Sequence, residues 1–96
     1  MKTREEILNL LSKNKPELEK HFKIKTIALF GSYARGDQRD NSDVDILVEV
    51  DPSIGLEFVT LAEKIEKLIG LPTDVVSKRA VKPRAFQLIE QEIIYV

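Results

Sequence analysis

Apolar positions change their spacing several times along the chain, and each change marks the boundary of an element. Ile7, Leu10 and Leu11 have the i, i+3, i+4 spacing of a helical stripe, and Thr3 followed by Glu6 has the form of a capping box. Together they predict a helix over residues 3–13. Pro16 lacks a donor that the first turn of a helix does not need, so it predicts a second short helix through Glu17, Leu18 and Phe22. The run Ile24-Lys25-Thr26-Ile27-Ala28-Leu29-Phe30 is rich in β-branched and aromatic residues and predicts a buried strand that stops at Gly31. A helical turn over 32–35 and a polar loop over 36–42 separate it from a second strand over 43–50. Beyond Asp51-Pro52-Ser53, the residues Phe58, Leu61, Ala62, Ile65, Leu68 and Ile69 share one face of a helix closed by Gly70. Residues 73–77 predict a third strand and 78–84 a basic loop. Pro83 opens a last helix carrying Phe86, Leu88 and Ile89, and 93–96 predict a terminal strand that could serve for association. Helices first, then strands interleaved with helices, predict an α/β or α+β sheet covered on one or both faces.

Length and charge narrow what such a sheet can do. Ninety-six residues make a single domain over 1–96, with room for one core and none for a second catalytic or substrate domain. The 43% hydrophobic content is ordinary for a globular chain, and no stretch of about 20 apolar residues is present to span a membrane. The opening residues lack the apolar core of a secretory signal, so a cytoplasmic location is expected. Absence of cysteine excludes disulfides and thiolate metal sites. Fifteen basic and sixteen acidic residues give a formal charge of -1, a poor platform for general binding along nucleic acid.

The candidate chemistry sits at the junction of the first two strands. Gly31-Ser32 is followed, after ten residues, by Asp43-Val44-Asp45. Alternation along a strand projects Asp43 and Asp45 to one side while Val44 and Ile46 face the core. Two adjacent carboxylates repel unless a cation lies between them, and magnesium, a hard ion held by carboxylates and substrate phosphates, is the natural candidate. Asp74, at the start of the third strand, supplies a third carboxylate if that strand lies beside the second. Gly31 permits close backbone approach, the amides of the following turn can hold phosphate oxygens, and the Ser32 hydroxyl adds a donor. Two metal ions on such a triad would align an attacking hydroxyl and stabilise departing pyrophosphate. Arg35 and Arg39 flank the loop and could give bidentate phosphate contacts.

These motifs resemble the DNA polymerase β-like nucleotidyltransferase superfamily, whose signature is Gly-Ser, a spacer, Asp-x-Asp and a later third Asp. The matching segments are Phe30-Gly31-Ser32-Tyr33-Ala34-Arg35-Gly36 and Ser42-Asp43-Val44-Asp45-Ile46-Leu47-Val48. Within it the chain is similar to the minimal nucleotidyltransferase (MNT) antitoxins, which contain little beyond the catalytic core. The resemblance implies a small mixed β-sheet flanked by helices. It further implies a helical HEPN-domain ribonuclease toxin as partner and transfer of AMP from ATP to a tyrosine on that toxin. By the same resemblance Asp43 and Asp45 hold the metals, Asp74 completes the site and helps activate the hydroxyl, and Gly31 and Ser32 hold the triphosphate.

Several residues keep two readings. Arg35, Arg39 and the cluster Lys78, Arg79, Lys82 and Arg84 fit either anion binding or a solvated surface. Tyr33 could stack on a base or pack beneath the turn, His21 is expected in a surface or half-buried structural role, and Phe58 and Phe86 are expected in the core. Transfer to a small molecule such as an aminoglycoside, and a non-catalytic module that neutralises a partner by contact, are the alternative functions. The absence of an acceptor-binding domain favours a folded protein as acceptor.

Overall fold

The computed structural model describes residues 2–96. Helix α1 (Arg4–His21) leads into β1 (Ile24–Phe30), a one-turn helix α2 (Gly31–Arg35) and β2 (Val44–Val50). Helix α3 (Glu57–Ile69), β3 (Thr73–Ser77), α4 (Pro83–Ile89) and β4 (Ile94–Tyr95) follow, with 3-10 turns at Pro52–Ile54 and Lys78–Ala80. The strand order is β3-β2-β1-β4. β1 pairs antiparallel with both β2 and β4, while β3 lies parallel to β2 because α3 carries the chain back across the sheet.

Alternation in β1 and β2 divides the sheet into two unlike faces. Ile27, Leu29, Val44, Ile46, Val48 and Val50 join Ile7, Leu11 and Leu18 of α1 and Leu61, Ile65 and Ile69 of α3 in one buried cluster. The i, i+4, i+8 spacing of the α3 residues makes that helix lie along the sheet with a continuous apolar stripe. Burying each such side chain contributes about 1.5–3 kcal/mol, so this face dominates the stability of the fold. The opposite face carries Asp45, Leu47 and Glu49 from β2, with Asp45 and Glu49 only half-buried.

The predicted helices at 3–13 and 16–22 are a single helix, with Pro16 inside it. An interior proline costs about 3 kcal/mol. Here that cost is offset because Leu18 continues the stripe of Ile7 and Leu11 and is fully buried. The capping box is formed as predicted: Glu6 N–H donates to Thr3 Oγ1 at 3.2 Å, and Thr3 N–H donates to Glu6 Oε1 at 3.0 Å. β2 begins at Val44, so Asp43 is the last loop residue. Pro83 does open the last helix, but α4 has no buried residues, and the expected core position of Phe86 is not found. Its ring lies at the rim beneath the Lys78 ammonium, 5.4 Å from the ring centroid. His21 sits on the surface, its Nε2 3.0 Å from Glu17 Oε1 one turn earlier.

The predicted terminal strand is β4, an edge strand two residues long. Val96 N–H donates to Ile27 O at 3.0 Å, and Lys15 Nζ donates to Val96 O at 2.7 Å, tying the end of the chain to both β1 and α1. Among the described residues no helix is long and apolar enough to cross a membrane.

Candidate active site

The β1-α2 junction and the start of β2 meet at one end of the sheet, on the face away from α1 and α3. Strand pairing sets Phe30 opposite Asp45, and the parallel register of β2 and β3 sets Asp74 directly beside Asp45. In-register neighbours on adjacent strands point to the same face, so Asp45 and Asp74 share that face. Asp43 precedes β2 and is exposed. Topology therefore sets Asp74 beside the half-buried Asp45, with Asp43 in the loop just before β2.

Gly31 is the tightest point of the site. Its φ of +75° lies in the left-handed region, and an added Cβ would fall 2.1 Å from Asp45 Oδ2. Glycine is thus required twice over, by the backbone conformation and by the carboxylate packed against it. Below the turn Tyr33 is 1% exposed and belongs to the main core, which decides its reading in favour of packing. Arg4 Nη1 donates to Ala34 O at 2.9 Å and fixes α2 to the start of α1.

A cleft of about 490 Å³ opens here, lined by Phe30, Gly31, Ser32, Arg35, Ser42, Asp43, Asp45, Ile89 and Glu92. Burial first, then the charges of Asp74, Asp43 and Glu92, push the Asp45 carboxyl above the ordinary carboxylate range, opposed by Arg35. Arg35 is held by two carboxylates: its Nη1 donates to Glu92 Oε2 and Oε1 at 3.0 and 3.1 Å, and its Nε to Asp37 Oδ2 at 3.1 Å. Glu92 also accepts from Gly31 N–H at 2.5 Å. Neither Arg39 nor Asp74 lines the cleft: Arg39 is exposed, its backbone N–H donating to Ser42 Oγ at 2.9 Å, and Asp74 is an exposed side chain at the edge of the sheet. The basic residues Lys78 and Arg79 lie elsewhere, beside Lys25, Glu49 and Ser77.

Glu92 was invisible in the sequence, because its partner Gly31 is 61 residues away and no spacing motif links them. The only available signal was an acidic residue immediately before the terminal apolar run Ile93-Ile94.

The carboxylate set is suited to magnesium. Its donors are all hard oxygens, and the mutual repulsion felt at Asp45 is what a divalent cation would relieve. Among the described residues no three carboxylates are gathered tightly enough to surround an ion on their own. Magnesium does not need that, since one or two carboxylates plus phosphate oxygens and water complete its shell.

Half-buried Asp45, with exposed Asp43 and Asp74 nearby, faces a glycine turn on the open side of a mixed sheet, an arrangement suited to handling phosphoryl groups, and comparison with known proteins gives the family. The nucleotidyltransferase domain family matches residues 11–96, and the chain belongs to that family. It is 46% identical over 101 residues to a Methanocaldococcus jannaschii protein assigned as a protein adenylyltransferase, covering all of both chains. It is 42% identical over 98 residues to the protein adenylyltransferase MntA of Thermococcus cleftensis, covering 100% of this chain and 98% of the relative. A solved minimal nucleotidyltransferase superposes with a TM-score of 0.68 at 32% identity, over 95% of this chain and 86% of that one. A structure of the tri-AMPylated Shewanella oneidensis HEPN toxin in complex with MNT antitoxin aligns with a TM-score of 0.58 at 26% identity, over 96% of this chain and 66% of that one. The expected α/β architecture and nucleotidyltransferase class both hold.

Proposed function

We propose that this chain transfers AMP from ATP to a tyrosine hydroxyl of a HEPN-type toxin, and that it acts thereby as the antitoxin of a toxin–antitoxin pair in the cytoplasm. The 96 residues would act as one domain, with the acceptor surface supplied by the partner. The observation that carries the reading is Gly31, held in the left-handed conformation against Asp45 so that an anion cradle and an acidic cluster share one cleft. Support for the acceptor comes from the names of the relatives and from the aligned antitoxin–toxin complex.

In this reading Gly31 N–H, the Ser32 hydroxyl and the Arg35 guanidinium hold the triphosphate oxygens. Asp43 and Asp45 would hold magnesium, as a pair of ions, and Asp74 would complete the set. Bound magnesium supplies charge neutralisation on the phosphoryl oxygens and on the departing pyrophosphate. The tyrosine oxygen bonds to the α-phosphorus, the bond from that phosphorus to the bridging oxygen of pyrophosphate breaks, and pyrophosphate carries away the electron pair. The phenolic proton passes to the Asp74 carboxylate at the open edge of the sheet, where a partner's side chain can reach it. Arg39 has no part in this scheme, and the Lys78–Arg79 surface faces a different depression.

The test is incubation of the purified protein with magnesium, ATP labelled at the α-phosphate and a lysate of the native host, beside an Asp43→Asn, Asp45→Asn double variant. Label on a tyrosine of one discrete protein, reduced at least about 1,000-fold in the double variant, is expected. Equal labelling by both proteins, or label confined to small molecules, would overturn the reading.

A further inference from the structure

The side chain that closes the cleft comes from the far end of the chain. Glu92 lies in the turn between α4 and β4, and its side chain is 18% exposed. One oxygen accepts from Gly31 N–H, and both accept from Arg35 Nη1. Those are two of the three donors assigned above to the triphosphate. A carboxylate and a phosphate make the same demand on such donors, namely negative oxygens accepting charge-assisted N–H bonds.

We infer that Glu92 is an internal stand-in for phosphate, which fills the anion site in the nucleotide-free protein and swings out when a nucleoside triphosphate enters. The inference rests on the reading that Gly31, Ser32 and Arg35 hold the triphosphate. Two anions cannot both take the single Gly31 N–H, and a triphosphate beside Glu92 would add like-charge repulsion to a site where Asp74 and Asp43 already act on Asp45. The exit is a side-chain rotation. Glu92 N–H donates to Ile89 O at 3.0 Å on one side, and β4 pairs with β1 on the other, so the backbone is anchored while the carboxylate is free to turn. Glu92 thereby lowers nucleotide affinity and holds Arg35 in place until nucleotide takes over. The three bonds that Glu92 accepts all come from Gly31 N–H and Arg35 Nη1, the donors that a phosphate would use.

Asp37 provides an internal control. It also pairs with Arg35, at 3.1 Å, but makes no bond to Gly31, so Asp37→Asn removes equal charge without vacating the amide. The experiment is calorimetric titration of the folded protein with magnesium-ATP, without acceptor, for wild type, Glu92→Ala, Glu92→Gln and Asp37→Asn. Glu92→Ala should bind about tenfold tighter, given the strength of charge-assisted hydrogen bonds. Glu92→Gln should show a smaller gain, since its amide oxygen still accepts from Gly31, and Asp37→Asn should change binding less than about threefold. Unchanged or weaker binding in both Glu92 variants, or an equal gain in Asp37→Asn, would overturn the inference while leaving the triphosphate site intact. No binding by any of the four proteins would overturn the site reading and the inference together.

Discussion

The two faces of the sheet are built from alternate residues of the same strands, yet they behave as different materials. Toward α1 and α3, Val44, Ile46 and Val48 pack into a cluster of fully buried aliphatic side chains. On the reverse, one residue out of step, Asp45 and Glu49 are half-buried, and burial and its acidic neighbours push the Asp45 carboxyl upward. The helix-covered face stabilises the fold, whereas the Asp45 end of the other face carries like charges that oppose it. Strain of this kind persists because the core on the other side fixes the backbone that displays it. Residues 78–96 extend the contrast. α4 has no buried residue, Leu88 is 76% exposed and Tyr95 51%, and this segment contributes Glu92 and Ile89 to the cleft.

That contrast can be broken from either side, and the largest effect on stability is expected in the core. Ile65→Ala removes a fully buried side chain of α3 and should cost about 2–5 kcal/mol, read as a fall in chemical denaturation midpoint. Gly31→Ala should be costly in both currencies. The left-handed backbone strain is about 1–2 kcal/mol, and the clash with Asp45 Oδ2 should cut nucleotidyl transfer about 100-fold or more, measured by label incorporation. Arg35→Ala should weaken ATP binding about tenfold in titration, whereas Arg39→Ala, outside the cleft, should leave it within about twofold of wild type. Leu88→Ala sits at the quiet end. At 76% exposed it should shift stability by less than about 0.5 kcal/mol, and a larger shift would mean that α4 is held more firmly than its exposure implies.

Much of this division is legible in the sequence because local rules and global packing agree there. The stripe in Phe58 to Ile69 matches α3, the run 24–30 matches β1 to the residue, and Gly31 marks a turn that only glycine can make. Spacing alone places Asp43 and Asp45 near Gly31, and the guess that β3 lies beside β2 is met by the Asp45–Asp74 register. The misses have a common origin in long-range contacts. Pro16 is a helix starter by local preference, and only the burial of Leu18 against the sheet explains why α1 runs through it. Phe86 reads as core by composition, but α4 docks at a rim where Lys78 covers the ring. Arg35 is exposed, as a free surface charge would be, yet it is committed to a glutamate 57 residues away.

The separation of the two faces is tested most directly at Asp45. Its carboxyl titrates higher in the folded state than in the unfolded one, so the folded protein binds the proton more tightly. The resulting stabilisation is fully present below the unfolded carboxylate pKa of about 3.9 and is lost as pH rises through the folded value. At neutral pH the ionised side chain therefore opposes folding. Thermal unfolding of Asp45→Asn, measured from pH 7 down to pH 4 beside a transfer assay, should show a melting temperature at or above wild type at pH 7. That advantage should shrink toward pH 4, and transfer should be abolished. A melting temperature well below wild type with transfer retained would contradict the division of labour between the faces.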